Sequence, residues 1–243
     1  MPNERPVVEI LAEVQSKVEE ACRRAGRNPA EVGILGVTKT HGPDVVREAW
    51  DAGLTKFGEN KVQEAAAKIP ECVPGAEWHL IGHLQKNKVR PALELFSTIH
   101  SVDSVELLQR IERIADECGA RPEVLLEVNV SGESSKSGVR PDAAPAVLEA
   151  ALSCRSLTLT GLMTMAPFAP DPELARPVFA RLRELRDHWQ ESFGIGLPRL
   201  SMGMSHDYIQ AVEEGATWLR LGTVLFGARP RWQPQRIQEN WEP

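Results

Sequence analysis

Eight short apolar segments, rich in β-branched residues and each joined to the next by a stretch with helical periodicity, recur along the 243 residues of this chain. Strands that alternate with helices pair in parallel, because a helical crossover returns the chain to the same end of the sheet. The strand candidates are 32–37, 56–58, 78–82, 98–101, 124–130, 157–163, 199–201 and 218–221. The helical stretches between them are 44–52, 61–68, a basic segment from Gln85, 105–118, 142–153, 172–191 and 207–214. Another amphipathic helix precedes the first strand: Val7, Leu11, Val14, Val18 and Cys22 share one face, and it ends near Gly26. In the long helix, Pro177 marks either the true start or a kink. Eight such units in a chain of this length predict an α/β fold, a single closed (β/α)8 TIM barrel preceded by an N-terminal helix. An open doubly wound sheet is the alternative, and the strand count favours closure. No linker-like stretch divides the chain, so residues 1–229 are expected to form one barrel domain and 230–243 a polar C-terminal tail.

Charge narrows the partners. With 28 Lys+Arg against 34 Asp+Glu the net charge is -6, which gives no global field for nucleic acid or an anionic membrane but leaves room for a local anion site. The basic patch Lys86, Asn87, Lys88 and Arg90 reads as a solvated helix face. The first residues show no basic segment followed by an apolar run, and no segment is long and apolar enough for a membrane span, so a cytoplasmic protein is expected. Cys22, Cys72, Cys118 and Cys154 form no CxxC pair and read as buried free thiols. His79 and His83 have the spacing of helical metal ligands, but they span a strand and its exit and lack the acidic partner of a zincin motif, so no metal is expected.

Chemistry is expected where the strands of a barrel end. Lys39 follows the first apolar strand, where the wall can hold its stem and partial desolvation can release an amine for Schiff-base formation; a solvated lysine at a strand exit is the alternative. Ser201-Met202-Gly203-Met204-Ser205 follows the seventh strand, and Arg220-Leu221-Gly222-Thr223 ends the eighth. Loops after strands seven and eight form the usual phosphate site of this fold, and small hydroxylated and glycine residues let backbone N–H groups approach a phosphate. A serine cap on the following helix and an ordinary glycine turn are the alternatives. In the last strand Leu219 and Leu221 share one face, which turns Arg220 into the barrel, where it needs an acceptor: a carboxylate, a ring nitrogen or a phosphate.

The segments Val37-Thr38-Lys39-Thr40, Phe57-Gly58-Glu59-Asn60-Lys61-Val62-Gln63-Glu64, Trp78-His79-Leu80-Ile81-Gly82-His83-Leu84-Gln85-Lys86-Asn87-Lys88, Ser135-Lys136-Ser137-Gly138, Gly161-Leu162-Met163 and the two phosphate-loop segments closely resemble the pyridoxal phosphate homeostasis proteins, the YggS/PROSC family. The resemblance runs from about residue 7 to Arg229. It implies a barrel like the N-terminal domain of bacterial alanine racemase, with pyridoxal 5'-phosphate held as an aldimine on Lys39. It further implies that Ser201, Met202, Gly203, Gly222 and Thr223 hold the phosphate, that Arg220 lies near the pyridine nitrogen, and that Asn60 and His79 line the same pocket. Lys136 would aid transfer of the cofactor, or be a solvated loop lysine. His41 and Lys61 depart from the family, standing where many members have lysine and tyrosine.

A racemase needs a base on each face of a carbanion and a ring that stabilises it. The resemblance to alanine racemase stops at the barrel, without the C-terminal β-domain that contributes a catalytic tyrosine, and the single tyrosine here is Tyr208. A guanidinium beside the ring nitrogen also opposes its protonation. No catalytic residue is therefore assigned. The expected function is intracellular sequestration and delivery of pyridoxal phosphate by a monomer, with cofactor-dependent apoenzymes as transient partners. A weak racemase is the second reading and a cofactor-free Schiff-base aldolase the third.

Overall fold

Each of the eight expected strands is present, and they pair in parallel in chain order until β8 meets β1 and the barrel closes. The computed structural model describes residues 5–133 and 137–228, so Lys136 and the C-terminal tail lie outside the described residues. The strands are β1 Gly33–Val37, β2 Lys56–Glu59, β3 Glu77–Leu80, β4 Thr98–Val102, β5 Glu123–Glu127, β6 Thr158–Met163, β7 Arg199–Ser201 and β8 Trp218–Leu221. The helices are α1 Val7–Arg24, α2 Pro43–Asp51, α3 Val62–Lys68, α4 Val89–Leu95, α5 Val105–Cys118, α6 Ala144–Leu152, α7 Arg176–Phe193, α8 Tyr208–Glu213 and α9 Thr223–Phe226. Pro177 sits in the first turn of α7, where its missing N–H costs nothing, so it starts the helix and does not kink it.

Alternation along the strands divides the core in two. Phe57, Leu80, Ile99, Leu200, Leu219 and Leu221 face outward and join the helix stripes in one large apolar cluster. Leu35, Leu125, Met163 and Trp218 face inward and make a second cluster inside the barrel. The period of two is what separates the sets. α1 adds Ile10, Leu11, Val14, Val18 and Cys22 to the outer cluster and lies against α8 and α9. Only Cys22 among the cysteines is fully buried, and Cys118 is exposed at the end of α5. Among the described residues no helix is long and apolar enough to cross a membrane, and no group of three or more His, Cys, Asp or Glu is placed to hold a metal ion.

Between barrel and helices lies one wholly buried ion pair. The Lys68 Nζ of α3 donates to Glu59 Oε1 at 2.8 Å and to the Thr38 carbonyl at 2.8 Å, and it reaches Glu64 Oε1 at 3.2 Å. Thr38 Oγ1 donates to Glu59 at 2.7 Å, and the backbone N–H of Thr40 donates to Glu64 at 2.5 Å. Thr40 takes φ 67, the left-handed region that a β-branched residue enters only when its surroundings fix it. The network therefore clamps the turn on both sides of Lys39. Removing the cation would strand the Glu59 carboxylate in a dry site. Lys68→Met is expected to lower unfolding free energy by about 3 to 5 kcal/mol, whereas exchanging an exposed pair such as Lys86–Glu106 should leave stability nearly unchanged; urea unfolding of both variants checks the contrast.

Candidate functional site

The C-terminal strand ends open into a cavity of about 420 Å³, within the range of small-molecule sites. Lys39 from the end of β1, Asn60 from the end of β2, Glu127 from β5 and Arg220 from β8 line it together with Gly222 and Thr223. Met204, Ser205 and His206 complete the side beneath α9, and Ile81, Gly82 and His83 form the wall after β3. Cavities of about 510 and 540 Å³ open elsewhere, one beside Lys56 and Gly33 and one among Arg27, Arg183 and Arg199, at the N-terminal strand ends, where barrels carry stability more than chemistry.

The loops after β7 and β8 are built around one hydroxyl. Ser205 Oγ accepts the backbone N–H groups of Gly222 at 3.2 Å and Val224 at 3.1 Å, so two amides converge at the cavity wall. Gly203, at φ 89, lets the loop turn: a Cβ there would lie 2.5 Å from the Ala211 Cβ, and the Gly203 carbonyl accepts the Arg220 N–H at 3.0 Å. Met204 N–H donates to the Asp207 carboxylate at 2.6 Å and closes the turn. On the opposite wall Gly82 is equally constrained, since a Cβ would meet the Asn60 carbonyl at 2.2 Å.

Arg220 is 4% exposed, and its acceptors are neutral: Nη1 donates to Ser201 Oγ at 2.7 Å and Nη2 to the Thr164 carbonyl at 2.9 Å. Burial lowers its pKa to about 10, so it stays charged near neutral pH, and among the described residues no carboxylate reaches ion-pair distance. Glu127 is 3% exposed and aims into the same cavity, and its side chain makes no hydrogen bond among the described residues. Burial first, and then the nearby Asp103, push its carboxyl up to about 7, against the pull of Arg220.

Of the nine residues expected at the site, Lys39, Asn60, Arg220, Gly222 and Thr223 line the cavity. Ser201, Met202 and Gly203 do not: Ser201 and Met202 are wholly buried, with Ser201 turned inward to Arg220, and Ser205 takes the place at the wall. His79 is also wholly buried beneath the cavity, bonded to Glu77 and His100. His41 is on the wall 5.6 Å from the Phe226 ring, whereas Lys61 is exposed at the start of α3. Sequence reading missed Glu127, although it shares an inward face with Leu125, two residues earlier.

A lysine, an arginine and two hydroxylated residues, Ser205 and Thr223, thus meet at the C-terminal mouth of the barrel. The family model described as alanine racemase, N-terminal domain, matches residues 11–230. A pyridoxal phosphate homeostasis protein of Aquifex aeolicus is 44% identical over 222 residues, covering 91% of this chain and 97% of that protein. One of Pseudomonas aeruginosa is 46% identical over 225 residues, 92% and 96% of the two chains. The structure of PipY from Synechococcus elongatus PCC7942 with PLP bound superposes with a TM-score of 0.81 at 39% identity, covering 91% of this chain and all of that one. The chain belongs to the pyridoxal phosphate homeostasis protein family. A D-threonine aldolase from Filomicrobium marinum, 16% identical with a TM-score of 0.74 over 90% of this chain and 60% of that one, shares the fold.

Glu127 leaves a signature in stability. Its folded value near 7 lies above the ordinary 4.5, so between those limits the folded chain keeps a proton that the unfolded chain has released. The contribution is complete below that window and is lost as pH rises through it, on the order of 3 kcal/mol. Glu127→Gln is expected to remove that loss and to be the more stable protein at pH 8 but not at pH 4, read by urea unfolding at both values.

Proposed function

We propose that this chain binds pyridoxal 5'-phosphate through a Schiff base on Lys39 and serves the cytoplasm as a store and donor of that cofactor, without strong catalysis of its own. The observation that carries the reading is the convergence of Lys39, the Gly222–Thr223 segment and Arg220 on one cavity. The donor set suits the group: an amine for an aldehyde, the Ser205 and Thr223 hydroxyls for a phosphate, and a guanidinium for a ring nitrogen. Bound there, pyridoxal phosphate supplies an aldehyde that condenses reversibly with amines and a ring that draws electrons.

The residues of the chain decide how far that chemistry runs. Thr223 and Ser205, whose hydroxyls line the cavity, would hold the phosphate, and the clamp on Thr38 and Thr40 orients Lys39. Arg220 would face the ring nitrogen with a group that can only donate, and so would oppose its protonation and weaken the ring as an electron sink. Tyr208 is buried in α8, away from the lining, so a tyrosine base facing Lys39 is not supplied from the described residues. A monomer that releases its cargo to cofactor-dependent apoenzymes fits a cavity that binds well and turns over poorly.

The wild-type protein mixed with pyridoxal phosphate should develop a visible band that borohydride traps. Lys39→Ala should stay folded and lose the band; a folded variant that keeps it would move the anchor. Thr223→Ala should keep the band at saturation but weaken binding by about 1 to 3 kcal/mol, measured by titration; unchanged affinity would remove Thr223 from the phosphate site.

A further inference from the structure

Beneath the cavity, four strands contribute side chains to one unbroken hydrogen-bonded row. Glu77 Oε1 lies 2.9 Å from His79 Nε2, His79 Nδ1 lies 2.9 Å from His100 Nε2, and His100 Nδ1 lies 2.8 Å from Ser201 Oγ. Ser201 Oγ then accepts from Arg220 Nη1 at 2.7 Å. His79, His100 and Ser201 are wholly buried, while Glu77 stands at the first residue of β3, where it also pairs with Lys56. Trp218 holds both rings in place: His100 stacks on it at 5.1 Å and His79 meets it edge-on at 4.8 Å.

The two ends fix the direction of every bond between them. A guanidinium can only donate and a carboxylate can only accept. The bond from His79 holds the Glu77 carboxyl down to about 2, so His79 Nε2 must carry its proton. Burial lowers the pKa of His79 and lowers that of His100 well below the ordinary range, which leaves each ring neutral with one donor and one acceptor. His79 Nδ1 therefore accepts from His100 Nε2–H, His100 Nδ1 accepts from the Ser201 hydroxyl, and Ser201 accepts from Arg220. With the ends as they are, any other set of neutral tautomers faces two donors or two lone pairs at some contact.

We propose that Glu77, His79, His100 and Ser201 form a one-way hydrogen-bond relay that positions Arg220, so that a carboxylate at the N-terminal mouth of the barrel sets the orientation of the cation in the cavity at the other. These four are positioning residues, and their value to cofactor binding rests on the reading of the cavity given above. The relay also accounts for a buried arginine without an ion-paired carboxylate, since its charge is answered through a polarised chain and not by direct contact.

The relay is tested on the full chain with no cofactor added, by nitrogen–proton correlation NMR of its histidines and arginines. The expected result is the Nε2–H tautomer on both His79 and His100, with separately resolved Nη–H signals for a rotationally held Arg220. An imidazolium, or an Nδ1–H on either ring, would overturn the assigned direction. In Ser201→Ala the Arg220 signals should collapse into one exchanging group, and in Ser201→Thr, which restores a hydroxyl, they should separate again; resolved signals in the alanine variant would overturn the positioning role. Glu77→Gln, on an accessible side chain, should let His79 sample both tautomers, because an amide donates as readily as it accepts; an unchanged population would show that Glu77 does not set the polarity. Pyridoxal phosphate titrated into the same samples should bind Ser201→Ala about three- to tenfold more weakly than wild type, and absence of binding to wild type would count against the cavity reading while leaving the NMR result to stand alone.

Discussion

An arginine inside a closed barrel is the constraint on which the rest of the site depends. Its charge cannot be desolvated without acceptors, and a carboxylate placed against it would cancel the charge that the cavity is built to present. The chain meets this with neutral groups: the Thr164 carbonyl beyond β6 and the Ser201 hydroxyl on β7, the latter backed by two histidines. Each comes from a different strand, so the barrel must be closed and in register before Arg220 is held. The clamp on Lys39 follows a similar logic outside the barrel wall, where Lys68 and Glu59 are buried together and fix a turn that its own backbone preferences would not choose.

Much of this was legible in the sequence, for reasons that differ by residue. Leu219 and Leu221 sort to the helix side by simple alternation, and that alone turned Arg220 inward. Strand β5 was read as reaching Val130, because Val128 and Val130 keep the β-branched pattern; the strand ends at Glu127, after which Asn129 bonds to the Val139 carbonyl and the chain has left the barrel ladder. α9 went unread because its four residues are too few for periodicity to register. The Lys68–Glu59 pair was invisible since a charged residue in a helix ordinarily faces water, and only the packing of α3 on β2 shows otherwise. His100 shares the inward face of β4 with Thr98, a signal available from parity alone. The family resemblance puts Ser201 among the phosphate-loop residues; in the fold it is the last residue of β7 and its hydroxyl accepts from Arg220.

The two ends of the barrel thus do different work through one interior. The C-terminal mouth gathers a lysine, an arginine, a raised carboxyl and a serine hydroxyl that holds two backbone amides, all on one cavity. The N-terminal mouth holds the carboxylate that orders the interior row. The D-threonine aldolase that shares this fold at 16% identity is a reminder that the barrel by itself does not fix a function. In the function proposed for this chain the decision would fall to Arg220, because a permanent donor at a ring nitrogen favours retention over carbanion chemistry.

The measurement that bears most directly on this account is deuterium exchange at the α-carbon of an added amino acid, followed by NMR in wild type and in Arg220→Glu at matched cofactor occupancy. The account predicts exchange that is slow or undetectable in the wild type and faster in the variant, where a carboxyl at the ring nitrogen supports its protonation. Rapid exchange in the wild type, lost in Arg220→Glu at equal occupancy, would contradict it and make the protein an enzyme.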